Sequence, residues 1–366
     1  MSTAWPESAV MMTLSGIAYA SDIGGQLQNA DYATQGEWSV VWGPVDDAYG
    51  NLAYVAKSAS SSKYAVVIRG SETSFSFDTI YNWFYNLYVT WQSQWPYLPA
   101  QPDAMLSYGS WIQARNLIAA PWYRQTLGTF LATSIPKGAT IAVTGHSLGG
   151  NLATVLASWI SYVRGPASNQ PDPDIEVYTF AAPSAGNEQF AAGFNARFPN
   201  SYRYWNTLDA VPRAWDNLLD LNSIYNGIGI LTPEWIQDTV YTLEGLLLAS
   251  EWDYGSYYLQ PNGSGNPLNG SLSPLNTDYL GEVTYQHGVN VYLGLLNAPL
   301  LKPSLSLALG ASGPGAFLPP PALYRRPALD SGKPRPIAGL AGLPPLSMRG
   351  LPAAAPSRTP RTEIVF

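Results

Sequence analysis

The chain has 366 residues, 46% hydrophobic and 12% charged, with a net charge of −7, which is the balance of a packed globular protein with one to three domains. The negative charge argues against a nucleic-acid partner, because phosphate binding rests on Lys and Arg. With no cysteine and two histidines, disulfides and thiolate chemistry are excluded, and neither a metal site nor a cofactor is expected. Thirteen Trp and 24 Tyr suit either a core or a boundary that is wet on one side and oily on the other.

In chain order, residues 9–20, AVMMTLSGIAYA, resemble the apolar part of a signal peptide. Glu7 precedes them and no Lys or Arg does, the wrong flank for such a leader. Leu14, Ile17 and Ala18 instead predict an amphipathic first helix. No uninterrupted apolar run approaches the ~18 residues of a membrane span, so the chain is expected to be cytoplasmic or exported by another route. EWSVVW (37–42), NLAYVAK (51–57) and YAVVIRG (64–70) read as strands joined by turn-rich links, the antiparallel start of a sheet. Residues 75–97 hold ten aromatics and a single charge, Asp78. Ile80, Trp83, Phe84, Leu87, Tyr88 and Trp91 fall on one helical face there.

Helical and strand patterns then alternate: YGSWIQARNLIA, TIAVT (140–144), the helix after Ser147, IEVYTF (175–180), GNEQFAAGFNARF and YRYWNTL (202–208). This predicts an α/β fold with a central, mostly parallel sheet and helices on both faces. From Pro299 to Phe366 the composition changes, with 14 of the 31 prolines and eight Lys or Arg against two acids. Such a segment builds neither a regular ladder nor a periodic helix, and is expected to be a disordered or extended tail. The expected domain therefore spans residues 1–298.

VTGHSLGGNLATVLASWISYVRGP (143–166) carries the chemistry. The pentapeptide G-x-S-x-G is weak alone in a chain rich in Gly and Ser. Strand, tight turn with Ser147 and helix in succession form the setting a nucleophile elbow needs. A serine hydroxyl needs a base, usually histidine. His146 is its neighbour, and adjacent side chains diverge at such a turn, so His287 in TYQHGVNVYLGLL is the base by elimination. The carboxylate that orients the imidazole lies between Ser147 and His287 in the chain order of α/β-hydrolases. Asp209 fits best, at the carboxyl end of a strand, with Asp216 in reserve. Asp172 and Asp174 precede a strand, the wrong end, while Asp220, Asp238, Asp253 and Asp278 remain possible.

VVIRGSETS, TIYNWFYNL, YGSWIQA, VTGHSLGGNLATVLA, YTFAAPSAGN, YWNTLDAVP and QHGVNVYL occur in the order found in the class 3 lipase family, which the chain resembles over residues 10–298. The resemblance implies an α/β-hydrolase fold and the triad Ser147, Asp209 and His287. It also implies an oxyanion hole from the backbone N–H groups of Ser71 and Leu148, and a lid over about 72–97 with acyl contacts from Ile80, Trp83, Phe84, Leu87 and Tyr88. The expected activity is carboxylic ester hydrolysis of acylglycerols at a lipid–water boundary, with short-chain esterase, phospholipase A1 or acyltransferase as alternatives. A catalytically silent lipid- or glycan-binding protein is the alternative from another class. Two departures stand out: Tyr108 where many relatives carry histidine, and a long apolar stretch between Asp209 and His287. The latter is expected to form a second cap over about 214–280.

Overall fold

A computed structural model describes residues 4–47, 50–70, 88–165, 172, 174–274 and 278–302. In chain order they form α1 (Glu7–Ile17), α2 (Ile23–Leu27), β1 (Trp38–Asp46), β2 (Leu52–Ser58), β3 (Lys63–Arg69), β4 (Gln92–Gln94), β5 (Met105–Ser107), α3 (Tyr108–Ala119), β6 (Pro121–Trp122), β7 (Gln125–Thr126), α4 (Leu127–Ser134) and β8 (Thr140–His146). There follow α5 (Leu148–Arg164), β9 (Ile175–Phe180), α6 (Glu188–Arg197), β10 (Ser201–Asn206), three short 3-10 turns between Val211 and Ile228, α7 (Glu234–Tyr254), β11 (Asn266–Leu268), α8 (Tyr279–Gln286) and α9 (Val289–Leu295).

Among the described residues the main sheet has seven strands in the order β1-β2-β3-β8-β9-β10-β11. The first two pairings are antiparallel and the other four parallel, as the alternation of patterns predicts. Strands β3, β8 and β9 are buried almost throughout, because helices cover both faces of a parallel sheet. Successive side chains point to opposite faces. Tyr64, Val66 and Ile68 therefore join a core with α3, α4, α5 and α7, while Ala65 and Val67 pack beneath α1, α2 and α9. Helix α1 is buried on every side from Met11 to Ile17 rather than amphipathic. It lies between the sheet and α9, and the position of Gly16 is filled by Val289 and Leu301.

Two expectations about boundaries change. The packed domain runs past 298, since Leu301 joins the core and the Lys302 N–H donates to the Tyr32 hydroxyl at 3.1 Å; the rest of the tail, 303–366, lies outside the described residues. The stretch 214–280 is not purely a cap, because β11 within it extends the main sheet beside β10.

Candidate active site

β8 carries the chain up to Ser147 and α5 carries it away. Ser147 has φ 62° and ψ −133°, a conformation that costs about 1–3 kcal/mol in a non-glycine residue and persists only where its surroundings over-determine it. They do so here. The Ser147 N–H donates to the Phe180 carbonyl at 2.9 Å, and the Ser147 carbonyl accepts from the N–H groups of Gly150 (2.9 Å) and Asn151 (3.2 Å). The Asn151 side chain donates to the Ser184 carbonyl at 3.1 Å and accepts from the Ser110 hydroxyl at 2.9 Å. The glycines flanking the serine have a steric reason: a Cβ at Gly145 would strike the Gly149 carbonyl, and one at Gly149 the Ile68 carbonyl. Strand and helix approach too closely there for any side chain.

Asp209 stands just past the end of β10, as expected, and is wholly buried. Its Oδ2 accepts from His287 Nδ1 at 2.9 Å and from the Tyr292 hydroxyl at 2.8 Å, while Oδ1 accepts from the Val211 N–H at 3.0 Å. Three donors on one carboxylate fix its orientation. A hydrogen on His287 Nδ1 leaves Nε2 as the ring's accepting atom.

His287 is linked to the elbow through His146. The His146 ring, behind the serine, places Nε2 3.0 Å from the His287 carbonyl, and the two rings lie 4.8 Å apart. A carbonyl only accepts, so His146 Nε2 carries the hydrogen. Burial, and secondly the proximity of His287, hold the His146 pKa well below the usual imidazole value, which keeps this ring a neutral brace.

Further residues escaped the sequence reading. Tyr292 accepts from the Asn206 N–H at 3.0 Å while donating to Asp209. The Asn206 amide donates to the Gln286 carbonyl (3.0 Å) and to its side chain (2.7 Å), and Gln286 donates to the buried Glu282 at 2.9 Å. This buried polar chain ties the strand bearing Asp209 to the helix that ends at His287. Asn206 lies about eighty positions from Gln286 and Tyr292, and only membership of the motifs YWNTLDAVP and QHGVNVYL hinted at these three; Glu282 lies in neither. Tyr19 is another: its hydroxyl lies 3.5 Å from His146 Nδ1, and burial raises its pKa to about 12. It borders an open cavity of about 680 Å³ at the C-terminal end of β3, lined also by Ile23, Leu52, Arg69 and Trp122.

Of the other predicted site residues, Leu148 opens α5 and packs against Gly70. Ser71, Ile80, Trp83, Phe84 and Leu87 lie outside the described residues. Tyr88 is partly buried and stacks on Trp91, with ring centroids 5.8 Å apart. Trp95 and Tyr97 belong to the fixed core, where Trp95 donates to the Ser158 hydroxyl at 2.7 Å. The C-terminal end of the range expected for the lid therefore packs into the core. Asp216, the reserve acid, accepts from the Gln260 N–H at 3.3 Å; the carboxylate paired with His287 is that of Asp209.

A mixed sheet with helices on both faces and a serine elbow at the carboxyl end of a central strand defines an α/β-hydrolase. Residues 65–217 match the class 3 lipase family. Among solved structures the chain is similar to M37 lipase, with 26% identity, a TM-score of 0.68, and coverage of 80% of this chain and 93% of that one. It also matches a Rhizomucor miehei lipase–propeptide complex (23% identity, 57% of this chain, 62% of that one, TM-score 0.43) and lipase II from Rhizopus niveus (20%, 57%, 73%, 0.44). Family and fold place the chain among lipase-type ester hydrolases.

Proposed function

We propose that the chain hydrolyses carboxylic esters of acylglycerols at a lipid surface through an acyl-enzyme on Ser147. The observation that carries this is the buried Asp209–His287 pair at 2.9 Å, whose histidine carbonyl accepts from the residue preceding the strained serine. His287 Nε2 takes the Ser147 proton as Oγ attacks the ester carbonyl. Asp209 stabilises the imidazolium, and the proton then passes to the leaving alcohol. Water repeats the sequence on the acyl-enzyme, returning the serine and releasing the fatty acid. The backbone N–H groups of Leu148 and Ser71 serve the developing oxyanion, a contribution of about 3–4 kcal/mol for a single donor in a comparable hole. Gly70 packs against Leu148, which brings the chain before Ser71 to that amide. The aromatic segment of about 72–97 is read as the lid, most of it outside the described residues, and the cavity beside Tyr19 supplies room for part of the substrate.

Kinetics on a soluble short-chain and an emulsified long-chain nitrophenyl ester test this. Ser147→Ala and His287→Ala, and to a lesser degree Asp209→Asn, lower kcat on both by about ten-thousand-fold or more, and the wild type prefers the long chain. Full activity in His287→Ala overturns the mechanism. A strict short-chain preference assigns the chain to the esterases, and equal rates on a phospholipid to phospholipase A1.

A further inference from the structure

Helix α7 is apolar on two opposite faces. Ile236, Val240, Leu243 and Leu247 enter the core. On the other side Tyr241, Leu248 and Trp252 follow at i, i+7 and i+11, a single stripe along the helix, and are 58%, 52% and 76% exposed. Trp and Leu so exposed on consecutive turns are not a solvated helix surface. The charges around the stripe are equally specific. From residue 214 to 301 there is no Lys or Arg, while nine Asp or Glu occur, five of them within α7.

The helix is also tied to the site. At its C-terminal end Ser250 donates to the Thr90 carbonyl at 2.9 Å, and Tyr258, just beyond it, donates to the Val89 carbonyl at 2.8 Å. Both bonds hold residues 89 and 90, within the range expected for the lid. At the other end α7 packs on the 3-10 turn Leu218–Asn222, close to where Tyr225 donates to the Leu208 carbonyl at 2.8 Å, next to Asp209.

We propose that the outer face of α7 docks the enzyme onto an uncharged lipid surface, an acylglycerol–water boundary, and so sets where it works. The inference rests on the ester-hydrolase reading. A helix with five carboxylates and no Lys or Arg of its own is poorly suited to anionic membranes, to which basic segments bind. Its Trp, Tyr and Leu suit the boundary between water and oil. Two copies meeting through this face would oppose their acids, which disfavours a dimer. The stripe belongs to a helix anchored at one end to Val89 and Thr90 and packed on a turn that follows Asp209, so a surface seated on it contacts an element joined to the site.

Flotation with a triolein emulsion and with phosphatidylglycerol vesicles tests the proposal in the full chain carrying Ser147→Ala, so that no hydrolysis interferes. In parallel, kcat/KM on a soluble butyrate ester is measured with Ser147 intact. The triple change Tyr241→Ser, Leu248→Ser, Trp252→Ser weakens emulsion binding at least about tenfold and leaves soluble turnover within about twofold. Leu248→Lys alone raises binding to the anionic vesicles. Undiminished emulsion binding by the triple variant overturns the proposal, as does a wild type that prefers phosphatidylglycerol. So does a dimer that the triple change dissolves, or a tail (303–366) that it releases to protease. Absence of soluble-ester turnover in the wild type counts against the hydrolase reading alone, since flotation of the Ser147→Ala chain decides docking independently.

Discussion

At the scale of single residues, the site is an arrangement of side chains that are costly to bury and therefore held by partners. Asp209 has three donors, His287 a carboxylate on one side, and His146 a carbonyl. His146 links the site to acid stability. Its folded pKa is depressed by burial, so below the unfolded value of 6.5 the unfolded chain binds a proton that the folded one refuses. Stability is thus fully present above that pH and is lost as the pH falls below it. In His146→Asn this contribution disappears: thermal unfolding between pH 7.5 and pH 5 shows a smaller drop in Tm than the wild type, and an equal drop contradicts the assignment. Ser147, His287 and Asp209 stood out in the sequence as the candidate nucleophile, base and acid because two histidines leave little to choose and a strand end marks Asp209; the structure sets Asp209 and His287 2.9 Å apart. The braces did not stand out. Asn206 and Gln286 look like ordinary polar residues until the fold brings them together across eighty positions, and nothing in periodicity marks a buried polar side chain such as Glu282.

At the scale of elements, the elbow rests on close approach of β8 and α5. Gly149→Ala sets a methyl against the Ile68 carbonyl, and backbone yields less readily than a side chain. The variant loses about 2–4 kcal/mol in denaturant unfolding. Gly245→Ala on the open side of α7, where nothing lies within 4 Å of the added methyl, gains about 0.5–1 kcal/mol. A Gly149→Ala chain as stable as the wild type contradicts the steric account. The strands and helices of the sheet were legible because apolar runs bounded by Gly, Pro and Asp show their length directly: 175–180 and 108–119 coincide with β9 and α3. Helix α7 was not recognised as one. Apolar residues on two opposite faces blur the single stripe by which an amphipathic helix announces itself, and its outer face answers to a surface outside the molecule.

Across the whole molecule, charge and apolar surface divide the chain. Residues before 299 hold 10 basic and 23 acidic side chains, the remainder eight and two, and the acidic body exposes Tyr241 and Trp252 on α7, as it does Tyr123 elsewhere. No helix among the described residues is long and apolar enough to cross a membrane. Composition alone gave the excess of Trp and Tyr, but not which of them turn outward; Trp95 and Tyr97 sit in the core while Trp252 does not. The account depends on Ser147 being activated by His287 across the elbow. Labelling with a fluorophosphonate and mapping the adduct by mass spectrometry tests that most directly. The account predicts one adduct, on Ser147, forming at least about a thousandfold more slowly in a folded His287→Ala chain. An adduct on another residue, or an undiminished rate in that variant, contradicts it.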